Sequence, residues 1–194
     1  MPSPVGAVLA GGRSTRLGRP KPTAPLGGRP LIEYPLTALH EAGLETVVVA
    51  KRGTELPPLE VPVWLEPDEP AHPLVGITTA LAQTGERPVL ACGCDLPFVS
   101  APLIARFAET AHRLVVPRAG GRLHPLFARY DPALRGALSA ALAANRSLQS
   151  AMAALDALIV EEEELAELGD PERLLFNVNT PEDLRRAEQM LEGP

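Results

Sequence analysis

Residues 5–21 read VGAVLAGGRSTRLGRPK. The run 5–10 is short and wholly apolar apart from glycine, the pattern of a strand buried on both faces of a sheet. The eleven residues after it hold three glycines, four bases (Arg13, Arg16, Arg19 and Lys21) and no acid. A glycine-rich loop leaving the first strand of an open parallel sheet lies at the carboxyl edge, where such sheets bind ligands. Paired Gly11 and Gly12 allow the backbone to approach an anion and turn its N–H groups toward it. Arg16 can fork two phosphate oxygens, and Lys21 adds a point charge. So many positive charges in one short loop repel one another unless an anion sits among them. The competing reading is an exposed turn with incidental arginines. Two common phosphate motifs do not fit. Residues 6–11 have P-loop spacing, but Gly12-Arg13 stands where Lys-Ser/Thr is required. The dinucleotide fingerprint G-x-G-x-x-G is absent, which argues against a nicotinamide-dependent oxidoreductase.

Outward from this loop, apolar runs alternate with helical windows. Strands are expected at 46–50, 61–65, 88–93, 113–117, 122–130 and 158–161. Helices are expected at 30–42, 74–81, 101–112, 132–144, 147–155 and 181–192. Pro62 suggests that 61–65 lies at a sheet edge, and Pro35 is tolerable within the first turn of its helix. Thr180 followed by Asp183 is a variant capping box. The acidic run 161–164 reads as a solvated face or a helix start. This alternation predicts an α/β protein: a Rossmann-like three-layer sandwich, its sheet mostly parallel, with helices on both faces. Residues 1–194 are read as one domain.

The 194 residues are 45% hydrophobic but only 4% aromatic, so the core must be aliphatic. Net charge is −6 and unevenly placed. Residues 1–32 carry +5, and the rest carry −11. Such an acidic surface excludes a broad nucleic-acid footprint, while the short basic loop within it suits a small, strongly anionic ligand. No apolar run approaches the roughly 20 residues of a membrane span. No signal-peptide pattern opens the chain, and Cys92 and Cys94 are too close to staple distant segments. These features point to the cytoplasm. The two cysteines are expected on opposite sides of their strand, leaving no zinc site.

LAGGRSTRLGRPK at 9–21 is followed by PLGGRPLIEY at 25–34. Further blocks are PLVGI at 73–77, CDLPF at 94–98, HPLF at 124–127 and NVNTPEDL at 177–184. Together they resemble the molybdenum cofactor guanylyltransferases of the nucleotidyltransferase superfamily. The resemblance implies a nucleotide-diphospho-sugar transferase fold. It also implies transfer of GMP from GTP to the phosphate of molybdopterin, with release of pyrophosphate. On this likeness Arg16, Lys21 and Asp95 are catalytic, and Asp95 holds Mg²⁺. Nucleotide binding falls to Leu9, Ala10, Gly11, Gly12, Arg16, Lys21, Asp68, Gly76, Asp95, Asn177 and Asn179. The two asparagines face the acceptor and the metal, and His124-Pro125 lines the acceptor side. Its implied partners are GTP and molybdopterin, with transient contacts to proteins that supply molybdopterin or to molybdoenzymes, and neither nucleic acid nor membrane.

The residues themselves leave structural roles open: a turn or cap for Asp95, caps for the asparagines, helix packing for Gly76, a hydrogen-bonded strand position for His124. Three departures from the family pattern stand out. Ala50 replaces an asparagine after the second strand, followed by Lys51-Arg52. Glu66-Pro67-Asp68 replaces an aspartate after the third, Asp68 serving with a one-residue shift. His72 replaces a glycine. The first two fall where the base is read. CTP, a sugar phosphate acceptor, and a non-catalytic GTP-binding accessory protein therefore remain as alternatives.

Overall fold

A computed structural model describes residues 2–12 and 16–193. Arg13 of the basic loop lies outside the described residues. The chain begins with β1 (Val5–Leu9), then a small hairpin, β2 (Pro25–Leu26) and β3 (Arg29–Pro30), then α1 (Glu33–Glu41) and β4 (Thr46–Ala50). There follow β5 (Val63–Leu65), α2 (Pro73–Gln83), β6 (Val89–Gly93), α3 (Ala101–Glu109), β7 (Leu114–Ala119), β8 (Arg122–Leu123) and β9 (Phe127–Tyr130). A 3-10 turn (Pro132–Leu134) leads to α4 (Arg135–Ala143), α5 (Leu148–Ala153), β10 (Leu158–Val160), α6 (Glu162–Ala166), α7 (Pro171–Leu174) and α8 (Pro181–Glu192).

The main sheet runs β10-β7-β9-β6-β1-β4-β5, with β8 alongside β7. β1 pairs in parallel with β4 and β6, β4 with β5, and β7 with β10. β9 runs antiparallel between β6 and β7. From β1 the chain moves outward to β4 and β5, then crosses back to β6 on the other side. That reversal makes the carboxyl end of β1 a topological switch point, the place where open α/β sheets leave a crevice for ligands.

Strand alternation supplies both cores. Ala7, Val47 and Ala91 face Leu74, Ile77 and Leu81 of α2 and Leu138 of α4. Val8, Val48 and Cys92 face Leu39 of α1 and Leu103 and Phe107 of α3. All are buried, which is why these strands read as unbroken apolar runs. The mostly parallel sheet, clad on both faces, matches the expectation, and β5 lies at one edge as expected.

Several local expectations change. Residues 30–32 belong to the β2–β3 hairpin and its exit. Gly27 and Gly28, at φ +54° and +81°, form its two-residue turn, a geometry that needs positive φ at both positions. α1 therefore starts at Glu33, with Pro35 in its first turn. The expected strand 122–130 splits at Pro125, where the Phe127 N–H bonds the His124 carbonyl at 2.9 Å and bends the chain. The acidic run becomes α6, with Glu161 and Glu164 forming a capping box. Cys92 and Cys94 pack in the same core and are free thiols. Residues two apart on an extended chain share a face, so the expectation of opposite sides fails. α7 and the hairpin are too short for a periodicity to reveal.

A third apolar cluster lies outside the two sheet faces. Leu17, Ala24, Leu26 and Leu31 from the segment after the glycine loop pack against Val178 and Ala187 of the C-terminal region. Leu26 and Leu31 are fully buried, worth about 1.5–3 kcal/mol each. This small core brings residues far apart in sequence to the carboxyl end of β1.

Candidate active site

Lys21 is where those segments meet. Its Nζ donates to Asp95 Oδ2 at 2.6 Å and to Asn179 Oδ1 at 2.7 Å. The ion pair is mostly shielded, with side-chain exposures of 18% and 12%. Asp95 follows β6 and is held from several directions. The Cys94 N–H bonds the Leu9 carbonyl at 3.1 Å, and the Val178 N–H bonds the Asp95 carbonyl at 2.9 Å. Its Oδ1 lies back over Gly93, where an added Cβ would stand only 2.5 Å away. Asp95 is not the cap of α3; Ser100 takes that role through the Leu103 N–H.

Asn179 is fixed from behind. The capping carboxylate of Asp183 accepts from the Asn179 and Thr180 N–H groups at 3.0 and 2.9 Å, while Thr180 Oγ1 accepts from the Asp183 N–H at 3.1 Å. The capping box read from the sequence thus also orients a site residue. Asn177 donates through Nδ2 to the Leu175 carbonyl at 3.0 Å.

Two hollows open beside this junction. One, of about 540 Å³, is walled by Ala10, Gly11, Gly12, Arg19, Lys51 and Asp68, with Pro20 and Pro22 on either side of Lys21. The other, of about 330 Å³, is walled by Arg122, His124, Phe176, Asn177, Asn179 and Arg186. His124 Nε2 lies 3.2 Å from the Ala119 carbonyl. Burial, with the Arg122 charge adding to it, holds its imidazole below the ordinary histidine range.

Lys21, Asp95 and Asn179 are thus joined directly. Ala10, Gly11, Gly12 and Asp68 share the larger hollow, Asn177 and Asn179 the smaller. Leu9 ends β1 against Gly76. Arg16 is exposed on the loop and is not part of the wall of the larger hollow.

Three residues gain roles that sequence reading did not give them. The Glu66 carboxylate, rather than that of exposed Asp68, faces the glycines. An added Cβ on Gly11 would meet Glu66 Oε1 at 1.7 Å, and one on Gly76 would meet Oε2 at 2.9 Å. Gly11 and Gly76 therefore make room for one carboxylate, the signal that would have singled out Glu66. Burial raises the Glu66 pKa above its ordinary value; Lys51 pulls it down and Asp68 pushes it up. Lys51 stands beside it, its ammonium bonded to the Asp68 carbonyl. His72 caps α2, its Nδ1 accepting from the Leu74 N–H at 3.1 Å.

Among the described residues no three His, Cys, Asp or Glu side chains converge to hold a metal. Asp95 alone suits Mg²⁺ only if substrate phosphates and water complete its oxygen shell, the usual arrangement for that ion at a nucleotide site. No helix among the described residues is long and apolar enough to cross a membrane.

Known proteins resemble this chain in sequence and in fold. The family described as MobA-like NTP transferase domain matches residues 6–159. The chain is 35% identical to the molybdenum cofactor guanylyltransferase of Rhizobium johnstonii, covering 97% of this chain and 93% of the relative. It is 34% identical, with the same coverage, to a probable molybdenum cofactor guanylyltransferase of Pelotomaculum thermopropionicum. Its fold is shared with the crystal structure of molybdopterin-guanine dinucleotide biosynthesis protein A from Archaeoglobus fulgidus. That match has a TM-score of 0.80 at 24% identity, over 96% of this chain and 98% of that one.

Proposed function

This chain belongs to the family of MobA-like NTP transferase domains, and from that premise we propose that it transfers GMP from GTP to the phosphate of molybdopterin. A phosphate oxygen of molybdopterin forms a bond to the α-phosphorus of GTP. The bond from that phosphorus to the oxygen bridging to the β-phosphate breaks, and pyrophosphate leaves with the electron pair. The product is molybdopterin guanine dinucleotide. The observation that carries this reading is Lys21, bonded at once to Asp95 and Asn179 beside the glycine loop.

The chemistry asks little of a general base. A phosphate monoester has a second pKa of about 6, so near neutral pH the nucleophile is already largely a dianion. That suits a site whose histidine, His124, is a hydrogen-bonded wall residue. The difficulty is bringing two anions together, so the work is positioning and charge neutralisation. Gly11 and Gly12 offer backbone N–H groups to the triphosphate, and Arg16 closes over the departing pyrophosphate. Lys21 serves the α-phosphate, where negative charge gathers. Asp95 would hold Mg²⁺, which would supply further neutralisation of the triphosphate. Molybdopterin enters from the smaller hollow, past Asn177 and Asn179, so that its phosphate meets the nucleotide at Lys21. Residues 1–194 act as one nucleotidyltransferase domain, since the sheet and the C-terminal α8 both contribute to the junction.

The test is to incubate the purified chain with Mg²⁺, molybdopterin and either GTP or CTP, following pyrophosphate and dinucleotide. The expected result is turnover with GTP and little with CTP. Preferred use of CTP would reassign the donor, and GTP binding without pyrophosphate release would make the chain an accessory protein.

A further inference from the structure

One wall of the smaller hollow hangs from the sheet by a narrow arm. β7 and β8 form a hairpin, with Arg118 opposite Leu123 and Ala119 opposite Arg122. Its turn is Gly120-Gly121, at φ +56° and +70°. β8 pairs with β7 alone, and β10 ends alongside Pro117, so the tip of the arm reaches past its neighbours in the sheet. Ala119, Gly120, Arg122 and His124 of this arm line the hollow of about 330 Å³. His124 is tied to the tip: its N–H bonds the Pro117 carbonyl at 2.9 Å, and its Nε2 lies 3.2 Å from the Ala119 carbonyl. A Gly-Gly turn is the least restricted turn a chain can form, and fixing it costs more backbone entropy than fixing any other pair. Something outside the turn has to hold it if the wall is to keep its shape.

The acidic run 161–164 supplies the hold. Glu161 Oε1 accepts from Arg118 Nη1 at 3.0 Å, and Glu162 Oε2 accepts from the Gly120 N–H at 3.2 Å. Their helix, α6, is itself anchored. Leu165 is fully buried, and Glu164 meets Arg106 of α3 at 3.6 Å. Glu162 is not part of the wall of the hollow. Glu163 carries the same charge in the same exposed first turn and makes no hydrogen bond or ion pair among the described residues. We propose that Glu162, with Glu161 beside it, is a positioning residue for the acceptor: it straps the Gly120-Gly121 turn so that Arg122 and His124 stand in the wall that molybdopterin meets. The inference rests on the guanylyl-transfer reading, which puts molybdopterin in this hollow. A carboxylate suits the task because a charge-assisted bond to a lone N–H is stronger than a neutral one. Both contacts are open to solvent, so each is modest in itself. They matter because the turn they hold is so loose.

The test measures dissociation constants for molybdopterin and for Mg²⁺–GTP, together with amide hydrogen exchange at residues 120–123. Glu162→Ala is expected to weaken molybdopterin about 3–10-fold and to speed exchange at 120–123, while Mg²⁺–GTP is unmoved. Glu162→Gln keeps an oxygen that can accept from the Gly120 N–H and restores most of the affinity. Glu163→Ala removes the same charge and is expected to bind as the wild type does. Adding Gly120→Asn to Glu162→Ala stiffens the turn from within, because Asn accepts positive φ and a Cβ there meets nothing within 4 Å. That double variant is expected to recover molybdopterin affinity without the carboxylate, which a direct contact between Glu162 and the ligand would not allow. An equal loss in Glu163→Ala would assign the effect to the charge of the run as a whole, and the inference falls. It falls equally if Glu162→Ala binds molybdopterin normally, if Mg²⁺–GTP weakens by the same factor, or if the wild type does not bind molybdopterin. A wild type that binds molybdopterin and forms no dinucleotide, with the Glu162→Ala loss intact, would leave the strap standing and overturn the transfer reaction.

Discussion

The chain has two lysines, and they stand in opposite kinds of surroundings. Lys21 is clamped between Asp95 and Asn179, partners 74 and 158 residues away in sequence. Lys51 sits in a four-residue turn at the end of an edge strand pair, and its bonded carbonyl is 17 residues away. The difference is one of distant against local partners. Neutralising charge at a reacting phosphorus needs a cation held still in a shielded place, where electrostatic contacts are strong. Lys51 instead follows local backbone geometry, which adjacent parallel strands and a tight turn supply without long-range order.

The sharpest way to break this comparison is at Lys21. Lys21→Ala and Asp95→Ala are each expected to lower kcat/KM about 10²–10³-fold, with the circular-dichroism spectrum retained. Near-normal turnover in either would place the chemistry elsewhere. Next comes Asn179→Ala, which frees Lys21 from one charge-assisted bond. It is expected to cost roughly 10–30-fold in kcat/KM while the GTP-to-ATP binding ratio stays as in the wild type. A change in that ratio would show that the two ends are not separable.

Gly11→Ala probes the seam between them. Its Cβ claims the position of a Glu66 oxygen, so the flexible carboxylate must swing away while the fold persists. GTP affinity is expected to fall roughly tenfold, about as far as in Glu66→Ala. The double variant should lose little more than either alone, because both remove one contact. Additive losses would mean that Gly11 matters for the phosphates and not for Glu66. The smallest effect is at Thr180→Ala. Loss of the cap is worth about 1 kcal/mol, read as a fall in Tm of roughly 2–4 °C.

Much of this arrangement is legible without coordinates. The apolar runs ending at Leu9, Ala50 and Gly93 identify three adjacent strands, because burial on both faces leaves no polar position in them but Thr46 at the start of β4. Thr180 and Asp183 mark the start of α8, because a helix N-terminus needs acceptors for its free N–H groups. The composition of the glycine loop is the ground for expecting an anion there. Glu66 is different. Sequence reading named only Asp68 there, since side-chain direction after a three-residue edge strand cannot be counted from periodicity. Likewise, His72 looks like a pocket residue and is a helix cap.

Local sequence therefore determined the buried strands, the α8 cap and the basic character of the glycine loop, since these depend on residues within a few positions of one another. Only the tertiary structure decided that Lys21, Asp95 and Asn179 share one junction and that Lys51 and Glu66 stand side by side. The first depends on the small core of Leu17, Leu26, Leu31, Val178 and Ala187, which closes a loop of more than 150 residues. The second depends on the register of β4 against β5. Both are set by packing between distant segments, which carries no signature in either segment read alone.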